Sequence, residues 1–437
     1  MGWLVGARWW TGARERVLVL VVGFVVVLLR PADGAQRFTL GSEDANVFVP
    51  QPRQVGLWRS LTTSYNGYQH LLPRLVGGIA SLLPLRLTPT ITYIGAAAVV
   101  AGAATVAYAC VRGAGCSRPA AALIGATVLI LPAGGYEVAG NLPNLEWYCL
   151  AASVVFVTTY LMGHRPSLRV TIPLLLLAGL TTPLLAVSLP FLAFAARRRG
   201  RHELAVLATA IGCVIVQLAE KVRTSGASQA LVVDSHQIVR LGTVRVGAGA
   251  VLGDRLLPPF VDTFGLRSAE VVGALVLVIV AALVVVPRRA RLASASAAVA
   301  AAAILLASLV LRAEWFAFPD IGLTDGVLAN GRYMSVPALC LVLVVVLRVD
   351  RRAASTSSRP VRVAALAASA VIAAMLAVNV PVELHRPSRA SFDEDLSRWQ
   401  AVCAAHGNDG LMGVRTGPWP TAPGGFELLL GCHDAFD

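Results

Sequence analysis

Lysine is almost missing from this sequence: Lys221 is the only one among 37 basic residues in 437. The rest of the positive charge is arginine, a compositional bias that carries no functional weight. Charge of either sign is also scarce, at 14% of residues against the ~25% usual in a soluble domain, while 56% are hydrophobic. Long apolar helices shielded by lipid are the arrangement that tolerates so little charge. Alternation of apolar and polar residues is absent; the apolar runs are continuous, which excludes a membrane β-barrel. The fingerprints HExxH, GxSxG, the phosphate-binding loop and the dinucleotide-binding glycine motif do not occur.

What is present is a ladder of apolar runs, and it predicts an all-α, polytopic transmembrane protein. Candidate spans fall at 16–29, 88–111, 119–134, 145–162, 204–218, 269–286, 292–311, 333–347 and 361–380. The block 170–196 is broken at Thr181-Thr182-Pro183 and again at Pro190, and proline interrupts a helix interior. Arginines flank the block on both sides, so we read it as a hairpin of two short helices rather than one kinked span. That gives about eleven crossings. Arg112/Arg118, Arg165/Arg169, Arg197–Arg201, Arg288–Arg291 and Arg348–Arg362 then fall on the cytoplasmic side, as does the N-terminus. The formal net charge of +13 is thus distributed as orientation signals and does not imply a nucleic-acid partner. Ala32 and Ala35 resemble a signal-peptide cleavage site, yet the topology counts better with the first helix kept as an anchor in the plasma (inner) membrane.

The expected outer face collects 30–66, 220–267, 312–331 and the tail. An amphipathic stretch, 68–87, reads as a helix lying in the interface. The expected organisation is a membrane domain, 1–381, that includes the first outer loop with its interfacial helix (30–87), and a small extracytoplasmic C-terminal tail, 382–437. No inverted internal repeat is visible. Cys149, Cys213 and Cys340 sit in apolar runs, and Cys110 and Cys116 on the reducing side. Cys403 and Cys432, alone in the exported tail, are expected to form a disulfide; His406 and His433 lack zinc-finger spacing.

Three polar clusters share the outer side. The first is Ser42-Glu43-Asp44 with Asn46 and Phe48, followed by Asn66 to Arg74, which includes Tyr68 and His70. Paired acids suit a general base or a divalent cation, though a solvated loop pair is the commoner case. The second runs through Tyr136, Glu137, Asn141, Asn144, Glu146, Trp147 and Tyr148. Aromatics here suit the interfacial belt, but an acid at a helix mouth is costly without a role. The third, Asn330-Gly331-Arg332-Tyr333, places an arginine where it either snorkels or meets a phosphate. Arg312, Glu314, Asp320 and Asp325 crowd the same loop.

The order of these features resembles the GT-C superfamily of membrane glycosyltransferases. The early acids, the Tyr68–Arg74 segment, Gly179-Leu180-Thr181-Thr182-Pro183 with its following arginines, Asn144-x-x-Trp147 and Gly331-Arg332-Tyr333 carry it over most of 1–380. They are similar to bacterial members that decorate cell-envelope glycans, the O-antigen glucosyltransferase type. The resemblance implies a polyprenyl-phosphate sugar donor, a glycan or lipid acceptor, and inversion on the outer face of the membrane. It makes Asp44 or Glu43 the base and Arg332 and Arg74 the ligands of the donor phosphate. Tyr68, His70, Asn144, Glu146, Trp147 and Tyr333 become the expected substrate-binding residues. Any magnesium or manganese ion would fall to Glu43 and Asp44, although the pair departs from Asp-x-Asp and the tail is small for the family. Two other classes stay open: a transporter or flippase of a lipid-linked or polyanionic precursor, and a non-catalytic envelope scaffold.

Overall fold

The structure, a computed structural model, describes residues 2–32, 40, 44–134, 139–197, 200–224, 235–285, 291–311, 332–355, 358–382, 389–406, 411–415 and 427–431. The chain opens with α1 (Gly2–Leu29), a π-helical turn (Asp44–Phe48), and the short α2 (Pro50–Val55) and α3 (Leu57–Thr62). Next come α4 (Leu71–Ser81), α5 (Thr88–Gly113), α6 (Arg118–Ile130), α7 (Leu145–Leu161) and α8 (Leu168–Gly179). A 3-10 turn (Pro183–Ser188) leads into α9 (Leu189–Ala196) and α10 (Arg201–Thr224). After α11 (Ser235–Arg240) and a π-helical segment (Leu241–Ala248) follow α12 (Gly249–Phe264), α13 (Leu266–Val285) and α14 (Arg291–Leu311). The chain ends with α15 (Arg332–Ala354), α16 (Arg359–Val378), α17 (Arg389–His406) and the strands β1 (Leu411–Arg415) and β2 (Glu427–Gly431).

Among the described residues, five helices are long and apolar enough to cross a membrane: α5, α10, α13, α15 and α16. Shorter apolar helices stand beside them, among them α4, α6, α7 and α8. Burial sorts the long ones. The apolar stretch of α15 is 83% buried and forms the axis of the bundle, whereas that of α13 is 17% and that of α16 11% buried. Leu366, Val278 and Leu275 on these outer helices stand bare, an arrangement stable against lipid tails and costly against water.

Contacts define two ends of the bundle. At the arginine end, Glu15 meets Arg118 (2.5 Å), Arg112 (3.9 Å) and the Tyr108 hydroxyl (2.9 Å). Asp350 accepts from the Ser117 hydroxyl and from its N–H (3.1 Å), and Arg165 pairs with Glu203 (3.0 Å). The His164 imidazole lies so close to Gly113 that a Cβ there would collide with it, joining these groups into one face. At the far end, Tyr93 donates to the Val27 carbonyl (3.0 Å), Arg30 to that of Val380 (3.1 Å), and Gly134 to the Asp254 carboxylate (2.6 Å).

The 168–196 block goes up and comes back. α8 starts beside Glu203, passes Cys213, which donates to the Leu175 carbonyl (3.8 Å), and ends where Gln217 reaches the Gly179 carbonyl (2.9 Å). The chain then turns at Leu180–Thr182, and α9 returns it to the start of α10. Gly179 is required here, since a Cβ would sit 2.6 Å from that of Cys213.

Three expectations change in detail. α1 reaches back to Gly2, because no proline separates its first residues from the apolar run. The interfacial helix is confined to Leu71–Ser81: Pro84 ends it in a turn whose carbonyl accepts from Leu87 (2.8 Å). The tail holds a two-stranded antiparallel hairpin, Leu411 opposite Gly431, so the described chain is helical with that one exception.

Candidate functional site

The site is built around the first turn of α7 at the far end. Leu142, three residues before that helix, donates its N–H to the Asp44 Oδ1 (2.8 Å), and Asp44 is fully buried. The Asp44–Phe48 turn that carries it lies flat on α4, since a Cβ at Gly77 would collide with the Phe48 carbonyl. The turn closes on itself through Val49, which donates to the Asp44 carbonyl (3.0 Å). Glu43, the other acid of the predicted pair, lies outside the described residues.

Phe48 begins an aromatic cluster. Its ring is 5.6 Å from both Tyr65 and His70, and His70 stacks on Tyr68 at 4.1 Å. The Tyr68 hydroxyl donates to Glu146 Oε1 (3.2 Å), which joins the cluster to α7. One residue along, Trp147 meets Tyr333 edge to face (5.2 Å), and the Arg332 guanidinium lies 5.2 Å from the Tyr333 ring. Asn144, buried, caps the same helix through its carbonyl, which accepts from Trp147 (3.1 Å). The Trp147 Nε1 is buried with no hydrogen-bond partner.

Arg74 is the electrostatic centre. It is 1% exposed, and its guanidinium lies over the Phe48 ring at 5.6 Å. Nη1 donates to the Gln51 Oε1 (2.6 Å), while Nε and Nη2 are buried and unpartnered. Burial alone pulls its pKa down from the usual 12.5 to about 10, so it is still charged at neutral pH. A buried guanidinium with one neutral partner is costly, and an oxyanion bonded by both free nitrogens would relieve that cost.

The support beneath Arg74 comes from residues the sequence reading passed over. Gln217, buried inside α10, accepts from the Gln69 N–H (2.8 Å) and donates to the carbonyls of Gln69 (3.3 Å) and Gly179 (2.9 Å). The turn after α8 then holds the start of α4: Leu71 donates to the Leu180 carbonyl (3.0 Å) and Leu72 to the Thr181 hydroxyl (3.1 Å). These bonds satisfy amides that open every helix N-terminus. A lone glutamine in an apolar run was the signal available for Gln217.

Asp44, Tyr68, His70, Arg74, Glu146, Trp147, Tyr333 and Arg332 are therefore linked, through α7, into one polar and aromatic patch. No group of three or more His, Cys, Asp or Glu able to hold a metal occurs among the described residues, which do not include Glu43. In the tail Cys403 is buried and disulfide-bonded, five other cysteines are free, and Cys432 lies outside the described residues. No protein-family model matches this chain, and neither does any curated protein or solved structure.

Proposed function

We propose that this chain is an inverting membrane glycosyltransferase of the GT-C kind. It moves a sugar from a polyprenyl phosphate to a cell-envelope glycan or lipid on the outer face of the plasma membrane. The observation that carries the reading is Arg74, a buried cation with two unpaired donors, lying over the Phe48 ring at the end of the turn that Asp44 begins. Asp44 takes the proton of the acceptor hydroxyl, whose oxygen attacks the anomeric carbon as the bond from that carbon to the phosphate oxygen breaks. The polyprenyl phosphate leaves with the electron pair, and Arg74 and Arg332 stabilise its charge. The aromatic rings of Tyr68, His70, Trp147 and Tyr333 supply flat apolar surfaces of the kind that sugar rings stack on.

In this reading the bundle crosses the bilayer about eleven times, the arginine end is cytoplasmic and the tail is outside. The up-and-back path of 168–196 supports it, because both flanking arginine groups then share one side. Reporter fusions at Arg199 and Asp437 give opposite compartments; matching signals overturn the topology and the outer site together.

The deciding experiment is sugar transfer from a polyprenyl-phosphate donor to an envelope acceptor by the purified full chain in detergent. Turnover that Arg74→Lys abolishes supports the reading, since a point charge does not replace the fork. No turnover in detergent, with donor or polyanion movement across proteoliposomes, favours the transporter class instead.

A further inference from the structure

The C-terminal segment is tied to the loop that carries Asp44 at two separate places. Where the segment leaves the bundle, Val382 bridges Pro31: Ala32 donates to the Val382 carbonyl (2.8 Å) and Val382 to that of Arg30 (3.0 Å). Some forty-five residues further on, β2 packs against the Asp44–Phe48 turn and against α2. β1, paired with β2 along five residues, packs in turn on α17. α17 buries Leu396, Trp399 and Cys403 at i, i+3 and i+7, one helical stripe, and Cys403 is disulfide-bonded. Beneath this assembly Asp44 has no exposed surface, although its loop is one that a membrane protein turns toward water.

A two-stranded hairpin alone is marginal in water, and a segment of this size has little core of its own. Something must keep β2 on the Asp44–Phe48 turn. Cys432 immediately follows β2 in sequence, and the five other cysteines apart from Cys403 are free and buried.

We propose that the C-terminal segment is the positioning element of the acid loop, with a Cys403–Cys432 bridge clamping β2 against the Asp44–Phe48 turn. The clamp fixes the Asp44 carboxylate on the Leu142 N–H and the Phe48 ring beneath Arg74. Its bearing on catalysis rests on the reading of Asp44 and Arg74 as the reacting centre; the mechanical coupling does not. Because the turn is a single π-helical loop, a shift of β2 is transmitted directly to both residues. Reduction acts on this coupling alone, since it leaves the five free thiols as they are.

The test uses the full chain in detergent micelles, oxidised and then reduced, with hydrogen exchange followed by mass spectrometry. Peptide mapping without reductant shows the 403–432 bridge. On reduction, exchange at 44–55 and at the Leu142 amide rises by about tenfold or more, while residues 201–206 at the arginine end keep their protection. Cys403→Ser reproduces the reduced pattern. Unchanged protection at 44–55 with the bridge open overturns the proposal, as does uniform loosening of both ends or a bridge to any other cysteine. In the transfer assay, reduction lowers kcat and leaves the KM for donor lipid unchanged. A preparation that shows the exchange change but no transfer in either redox state keeps the coupling and removes the transferase reading alone.

Discussion

The two ends of the bundle treat charge in opposite ways. At the arginine end, Glu15, Glu203 and Asp350 each hold a hydrogen-bonding partner, and Arg165 lies on the Tyr160 ring (3.7 Å) as well as on Glu203. Hydrogen bonding by Tyr108, followed by Arg118 and Arg112, holds the Glu15 carboxyl below its usual range despite some burial. At the far end Arg74 is buried more deeply than any of these and has one neutral partner for three nitrogens. Folding alone selects for satisfied groups, so these pairs at the arginine end read as scaffold, although Arg348 there keeps one buried nitrogen, Nε, without a partner. In the proposed function, Arg74 keeps two nitrogens free for an oxyanion that arrives later.

The largest expected effect that tests this contrast is on turnover. Asp44→Asn retains an oxygen able to accept from Leu142, so the loop keeps its place, but the amide cannot take a proton. Turnover falls at least about a hundredfold, the usual scale for loss of a general base. Glu43→Gln is the matched control. Near-native turnover of Asp44→Asn, measured with saturating donor, reduces Asp44 to an anchor for Leu142.

Next comes a pair of changes with opposite signs in stability. Arg165→Met leaves Glu203 with its main partner gone and lowers stability by about 1–3 kcal/mol. Arg74→Met removes a charge that folding does not satisfy, so stability is unchanged or rises by about 1–2 kcal/mol while donor-dependent activity is lost. Thermal unfolding of both variants in one detergent makes the comparison. If Arg74→Met destabilises as much as Arg165→Met, the two ends do not differ in kind.

Much of this contrast was legible in the sequence, and the illegible part has a common cause. Apolar runs located α5, α6 and α7 because span length is set by local composition. The residues of the patch could be named because acids, arginines and aromatics beside a span are expensive there. Gln217 was legible only as a lone polar residue in an apolar run; its partner Gln69 is 148 residues away, so its role was not. The cover that β2 places on the Asp44–Phe48 turn was hidden for the same reason, whereas the end of α4 at Ser81 follows from a local signal, Pro84. Composition reports which groups need partners; only the packing reports which of them find one.

Gln217 supplies a smaller effect that joins the two ends, since α10 runs from Glu203 to the site. Gln217→Leu leaves the Gln69 N–H and the Gly179 carbonyl without their partner, at a cost of about 1–2 kcal/mol. The start of α4 loosens, and with it Arg74. Exchange of the 69–74 amides accelerates while the Arg165–Glu203 region stays protected. Equal loosening at both ends would make Gln217 a general packing residue.

The smallest expected effect belongs to the arginine end and to pH. His164 lies in the loop between α7 and α8, its imidazole against Gly113. Burial first, and the neighbouring Arg165 second, hold its pKa below the usual 6.5, outweighing a hydrogen bond from the ring to the Gly113 backbone. The folded state therefore favours the neutral ring, and the unfolded chain binds this proton more readily. The stability this provides is complete above about pH 6.5 and is lost as pH falls through the lower, folded value. Melting temperature should decline modestly between pH 7.5 and pH 5.5, with exchange rising first around 113 and 160–166. His164→Gln, which cannot titrate, flattens that slope without touching the far end. If the slope survives the substitution, another group sets it; if exchange rises first near Arg74, the arginine end is the better insulated of the two.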